Sequence, residues 1–445
     1  MMHPDEFAKR LLELAKEKGC PAAETFSANH KAFSVDALNG EIDRYSVSRG
    51  AGVSLRVSLG EGKDGYAYTE AMEDPETLVD RAMDNARSIE TADERPMQVA
   101  QTYRSVERPV SPLTAMTEQE KIALALRMEQ AALAEDARVK RVSGCAIEES
   151  SGSISIRNTR GLAAERATGS AFCYVSVLAE EAGETQSGFA FRMGPEAADV
   201  EACAREAALD AVSRLGEKPV PTGAYPVIMK NVAMADLLTA FVDVFSADEA
   251  QKGRSLLAGK EGEAIAAPCV TLVDDPFHPA SPRAFDGEGT PTRRKNILEN
   301  GVLTTLLHNL KTARKAGVET TGNATRASAA SAVGVGPSVL YLAPGAEGED
   351  ALIARMGTGL VINDLQGLHA GLNTVSGDFS LKAEGRRIEV GRDAGPVGQI
   401  TVAGNFFTLL KSILAVGSDL AFTTPSGLYA ASPSVLIASL EVAGE

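Results

Sequence analysis

Residues 216–226 read Gly-Glu-Lys-Pro-Val-Pro-Thr-Gly-Ala-Tyr-Pro, three prolines and two glycines in eleven positions. Proline lacks the amide hydrogen and has a fixed φ, so this run cannot continue a helix and does not suit a central strand. It predicts a boundary. The 445 residues then divide into blocks 1–218 and 219–445, each long enough to bury its own core.

The blocks carry different patterns. In the first, Pro4, Asp5 and Glu6 open a helix that Gly19 closes, and Phe7, Leu11 and Leu14 give it one apolar face. Asn39-Gly40 predicts a hairpin between 33–38 and 42–47. Residues 52–59 alternate with period two, as a half-buried strand does. Asp74-Pro75 starts a second helix, and Thr117-Glu118-Gln119-Glu120 forms a capping box for a third. Strands at 139–142, 153–157, 170–178 and 187–192 precede a helix from Glu196 to Leu215.

The second block holds mostly short strands, at 225–229, 270–273, 339–342, 360–363 and 377–385. Another hairpin joins 297–299 to 302–308 through Asn300-Gly301. Asn231 can cap a helix over 232–245. The last 45 residues carry only Lys411, Asp419, Glu441 and Glu445 as charged side chains, so their strands are expected to be mostly buried. The expected fold class is α+β: an N-terminal domain of antiparallel strands with packing helices, and a mainly-β C-terminal domain, closed or double-layered, with few helices.

Composition narrows the function classes. Trp is absent and aromatics are 5%, so the cores rely on Ala, Val, Leu and Ile. The formal charge is −16, which repels a phosphate backbone. The densest basic run, Arg293-Arg294-Lys295, is flanked by Asp286, Glu288 and Glu299; nucleic acid is not an expected partner. The apolar stretch Phe406–Val416 is interrupted by Lys411 and falls short of a membrane span. The opening Met-Met-His-Pro-Asp-Glu lacks the basic and apolar regions of a secretory signal, so a cytoplasmic location is expected. Five cysteines, dispersed and without CxxC, do not form a disulfide framework.

Self-contained catalytic motifs are missing. His3, His30, His278, His308 and His369 are scattered, with no HExxH, HxH or HExxxH. Asp274-Asp275 and Asp286/Glu288 are open to two readings, a hard-cation site or a solvated turn, the second being favoured. There is no GxSxG elbow; Gly253-Arg254-Ser255 lacks the second glycine. Gly60-Glu61-Gly62-Lys63 and Gly287-Glu288-Gly289 lack full phosphate-loop spacing and read as turns.

A longer constellation is more specific. Asp274-Asp275, Phe285-Asp286-Gly287-Glu288-Gly289-Thr290-Pro291-Thr292, Ile297–Val302 and Thr321-Gly322-Asn323-Ala324-Thr325-Arg326 occur in that order. Gly223–Val227 precedes them, and Val375–Phe379, Val402–Asn405 and Gly417–Leu420 follow. In the first block, Gly52–Val57 and Gly65–Thr69 also match. The ordered set resembles the TldD/PmbA family, once called modulators of DNA gyrase, over essentially the whole chain. That resemblance implies a metallopeptidase-like C-terminal domain. In the TldD branch zinc is held by HExxxH on a helix and by a Cys near the C-terminus, with the Glu activating water. The PmbA branch, also called TldE, lacks those ligands and pairs with TldD to act on unfolded or extended peptides.

This chain falls on the PmbA side. Counting back from Gly253, the His-Glu-His positions fall on Leu238, Thr239 and Asp243, and 423–435 contains no cysteine. The resemblance thus implies no catalytic residue, metal ligand or cofactor in this chain, with zinc expected in a TldD-like partner. Arg254, Asn323 and Arg326 are candidates for lining a shared peptide cavity. The favoured expectation is a non-catalytic subunit of a heteromeric peptidase, its β edges available to extended peptides. The alternatives are a homodimeric peptide- or protein-binding module, and a hydrolase using Asp243 with Asp274 or Asp275.

Overall fold

The computed structural model describes residues 4–90, 95–425 and 427–445; His3 lies outside them. The first block contains α1 (Pro4–Glu17), β1 (Ala22–Leu38), β2 (Glu41–Ser58), β3 (Asp64–Thr69), α2 (Pro75–Arg87), α3 (Glu118–Glu135), β4 (Val139–Asn158), β5 (Ala163–Glu181), β6 (Glu184–Met193) and α4 (Val200–Ser213). The strands form one antiparallel sheet in the order β3-β2-β1-β4-β5-β6. At the β1–β2 turn, Asn39 and Gly40 have φ of 58° and 77°, the left-handed pair that a type I′ hairpin demands. Thr117 and Glu120 close the capping box of α3. Phe7 and Leu11 of α1 and Val79 of α2 pack on Val53, Leu55 and Val57. Met128 of α3 and Cys203 of α4 pack on Ile147, Cys173 and Val175.

The second block begins with β7 (Gly223–Met229), α5 (Asn231–Ala240) and α6 (Ala247–Gln251). Then come β8 (Leu272–Asp274), β9 (Lys295–Glu299), β10 (Val302–Leu303), α7 (Leu310–Ala316), β11 (Ala324–Thr325), β12 (Gly334–Val335), β13 (Val339–Leu342) and α8 (Glu349–Met356). It ends with β14 (Gly359–Gln366), β15 (Asp378–Glu389), β16 (Arg392–Asn405), α9 (Phe406–Lys411), β17 (Ile413–Val416), β18 (Ala421–Phe422), β19 (Tyr429–Ser432) and β20 (Val435–Ala443). One sheet runs β16-β15-β14-β7-β20-β17, and pairing of β16 with β20 closes its first five strands into a barrel. A second sheet runs β10-β9-β8-β13-β19-β18. Alternate residues of β7 and β14 serve two cores. Val227, Met229, Leu360 and Ile362 join Leu237, Leu238 and Phe241 of the α5 segment, while Ile228 and Val361 join Leu352 of α8. The architecture is the expected α+β one, with a closed sheet in the C-terminal region.

Two local expectations are corrected. Gly223–Pro226 does enter a strand, β7, but 223–225 pair with β20 alone, and β14 joins on the other side only from Val227. The register of β20 jumps between Ile437, opposite Val227, and Leu440, opposite Tyr225. Pro226 therefore sits opposite a bulge, where its missing amide breaks no ladder bond. Strand β2 is buried on both faces at 53–57, not on one. Its polar face, with Ser54 and Arg56, is covered where the second block meets the sheet. There, Phe26, Ile156 and Leu162 of the first block pack with Phe285 and Ala329 of the second. Tyr103 donates to the Gly289 carbonyl at 2.7 Å. Gly289 has φ +78°, and a Cβ there would lie 2.7 Å from Leu162 Cδ2, so this contact requires glycine.

Candidate functional site

Two regions carry the residues singled out by sequence. The first is the turn after α5. Leu238 is fully buried among apolar neighbours, and Phe241 stacks on Phe406 with ring centroids 4.5 Å apart. The Thr239 hydroxyl donates to the Ala235 carbonyl of its own helix at 2.9 Å. Asp243 lies in a 3₁₀ turn, Val242–Phe245, that ends the expected longer helix early. It sits within electrostatic reach of Glu249, Arg254 and Lys252. Arg254 is exposed and grips Glu249 through Nε at 2.6 Å and Nη2 at 2.7 Å. These residues do not fit zinc: Leu238 has no donor atom, Thr239 is tied to its helix, and Asp243 offers a single carboxylate. Among the described residues, no three His, Cys, Asp or Glu side chains are grouped to hold a metal.

The second region is the loop system of the second block at the junction. Asp274 is fully buried. It accepts from Ser338 N at 2.7 Å, Lys295 Nζ at 2.8 Å and Asn323 Nδ2 at 2.7 Å. Asp286 accepts from the amides of Glu288 and Thr290, both at 2.9 Å, and of Ala324 at 3.0 Å. Glu288 accepts from Leu310 N at the start of α7, at 2.9 Å. These carboxylates are buried ties between loops, neither solvated turns nor a grouped cation site. Arg326 lies 4.4 Å from the Phe26 ring, across the junction. Asp243 and Arg254 thus meet on one surface, Asn323 joins Asp274 in the interior, and Arg326 reaches the first block; the three cavity candidates do not converge. Of the histidines, His30 and His369 are exposed, His308 is buried, and His278 lies beside Tyr341 and Phe422.

Sequence reasoning missed the first block's contribution. Arg56, 5% exposed, donates through Nε and Nη2 to Asp64 at 3.0 and 2.7 Å, and its Nη1 lies 3.9 Å from Glu24. Its only signal was a charged residue on the polar face of a strand. Burial and then the Asp286 charge push the Glu288 carboxyl up to about 8, Glu24 adding to the effect. Burial lifts Asp286 to about 6 against its amide donors. Between its ordinary value of 4.5 and about 8, Glu288 holds a proton in the folded protein that the unfolded chain has lost. Stability therefore falls as pH rises through that window. Thermal melts should show a loss on the order of 5 kcal/mol across it, and Glu288→Gln should remove most of the slope and raise Tm at the alkaline end. An unchanged slope in that variant would remove Glu288 as its source.

The first sheet also leaves stretches of β2 and β5 without a strand on their outer side. Strand β6 pairs only with Phe172–Glu181 of β5, so 163–171 has no strand on its outer side. Likewise β3 pairs only with Val53–Ser58 of β2.

Comparison with known proteins covers nearly the whole chain. Residues 23–86, 111–215 and 222–444 match domain 1, the central domain and the C-terminal domain of PmbA/TldA metallopeptidases. Metalloprotease PmbA of Escherichia coli O157:H7 is 26% identical over 99% of this chain and 96% of its own length. A Thermotoga maritima protein named as a modulator of a DNA gyrase superposes with TM-score 0.91 at 36% identity, covering 99% of this chain and 100% of that one. TldE from Thermococcus kodakarensis shares the fold, with TM-score 0.89 at 24% identity over 98% and 100% of the two chains.

Proposed function

Because this chain belongs to the PmbA/TldD metallopeptidase family, we propose that it is a PmbA/TldE-type subunit that does not itself hydrolyse peptides. A zinc-bearing TldD-like paralogue would complete the enzyme, and the pair would act on unfolded or extended peptides. The observation that carries the reading is the complete burial of Leu238 in the apolar core, at the position where the resemblance calls for a metal-binding His. The neighbouring Thr239 hydroxyl is spent on its own helix, so no water-activating carboxylate stands beside it. The outer side of β5 at 163–171, which pairs with no strand, supports the peptide-handling part, since backbone pairing along an edge is nearly indifferent to side-chain sequence. We place the complex in the cytoplasm; the cysteines are all unpaired, as suits a reducing compartment. No helix among the described residues is long and apolar enough to cross a membrane.

A tagged pull-down from the native cells tests this reading. A stoichiometric paralogue carrying HExxxH should co-elute. The isolated chain should leave an unfolded peptide intact, and the complex should cleave it until EDTA is added. A homodimer without such a partner would replace this reading with the binding-module one. EDTA-sensitive cleavage by the isolated chain would instead establish a catalytic site of its own.

A further inference from the structure

A cleft of ≈ 400 Å³ opens between the two blocks, with Arg108, Thr168, Ser170, His278 and Tyr429 on its walls. Glu196 is its one acidic lining residue among those described, and it is exposed. Arg108 donates to the Gly169 carbonyl at 2.6 Å. Two more guanidiniums stand close by. Arg166 precedes the Thr168–Ala171 wall, and Arg283 follows the His278–Ala280 wall. The three are near enough to act on one another's charge.

Their partners are few. Arg166 Nε and Arg283 Nε are buried without a hydrogen-bond acceptor. Among the described residues, Arg166 has only the Phe285 ring, 5.8 Å away. Arg283 reaches Ser281 Oγ and the Ser338 carbonyl at 3.4 and 3.3 Å. The nearest carboxylates, Asp274 and Asp286, are held by other donors. Acids outnumber bases 60 to 44 in this chain, yet none forms an ion pair with any of these three arginines among the described residues. Burial, followed by repulsion from Arg283 and Arg108, lowers Arg166 to about 10. Like charges gathered in a partly dry place without a counter-ion are costly, and an arriving anion relieves that cost.

We propose that this cleft is a carboxylate-binding site for an extended peptide. Arg108 contacts the carboxylate directly, and Arg166 and Arg283 supply the field behind it. Thr168 and Ser170 of β5 line the cleft beside Ser150 of β4, whose Oγ lies 2.8 Å from Ser170 Oγ, and the outer side of β5 at 163–171 carries no strand. A peptide laid along that edge would bring either its terminal carboxylate or an acidic side chain to Arg108. The inference deepens the peptide-handling reading above and rests on it.

Isothermal titration of the purified full chain with acetylated Ser/Thr/Val peptides tests it. The forms compared carry a free C-terminus, a C-terminal amide, an amide with an internal Glu, and an amide with an internal Gln. At least one carboxylate-bearing form should bind roughly tenfold or more tighter than its neutral counterpart, and which one does so identifies the source. Raising salt should shrink that difference, a readout that needs no variant. Arg108→Gln, which keeps a donor for Gly169, should abolish the preference, and Arg108→Lys should restore part of it. Equal binding of all forms would overturn the carboxylate site and leave peptide handling intact. Binding of no form would overturn both. A preference that survives Arg108→Gln would overturn the assignment to this cleft.

Discussion

Replacing Arg56 with Ala should cost about 3–5 kcal/mol of unfolding free energy. Glu24 and Asp64 are both buried beside it, and the substitution leaves two carboxylates in an interior that water does not reach. Burial already holds the Glu24 carboxyl above its usual range, and the Arg56 charge opposes that rise. The loss should appear in urea denaturation as a lower midpoint at unchanged slope. A triple variant, Arg56→Met with Glu24→Gln and Asp64→Asn, should recover a good part of it, because it leaves neither carboxylate facing a missing Arg56. A single variant as stable as the parent would mean that water reaches this network.

Phe241→Ala should be comparably costly, about 3–5 kcal/mol. The ring is fully buried and lies flat on Phe406, with 10° between the planes, so truncation loses transferred area and opens a cavity. Leu238→Ala, on the preceding turn, should cost about 2–5 kcal/mol by the same route. Calorimetry should show both losses in unfolding of the second block. Leu238→Ala is the more telling: if the position were merely a vacated ligand site, truncation there would be nearly neutral.

Local chemistry made much of this architecture readable. Asn39-Gly40 and Asn300-Gly301 both adopt the left-handed pair their identity predicts, and the capping box at Thr117 forms as written. Each is decided within a few residues. The expectations that needed correction depend on partners far along the chain. Pro226 is tolerated because β20, some two hundred residues later, bulges opposite it. Ser54 and Arg56 look like the wet face of a strand until Glu288 and Arg326 of the second block are brought against them. The candidate site divides the same way. The ordered motifs pointed to the family, but nothing local revealed that Asn323 and Arg326 would face different neighbours. Nor could the gathering of Arg108, Arg166 and Arg283 be read from segments so widely separated.

The ring of strands in the second block has a consequence for how the protein is made. Its closing strand, Val435–Ala443, bonds to Gly223–Met229 on one side and to Thr401–Ala403 on the other. The first sheet uses only residues 22–193 and can form while the rest is still being translated. The ring cannot: its founding strand waits, unpaired on one flank, until residues 435–443 have left the ribosome. Pairings of such long sequence separation form slowly, and an exposed flank is prone to aggregate in the interval. A chain stopped before residue 435 would thus lose the strand that closes the ring.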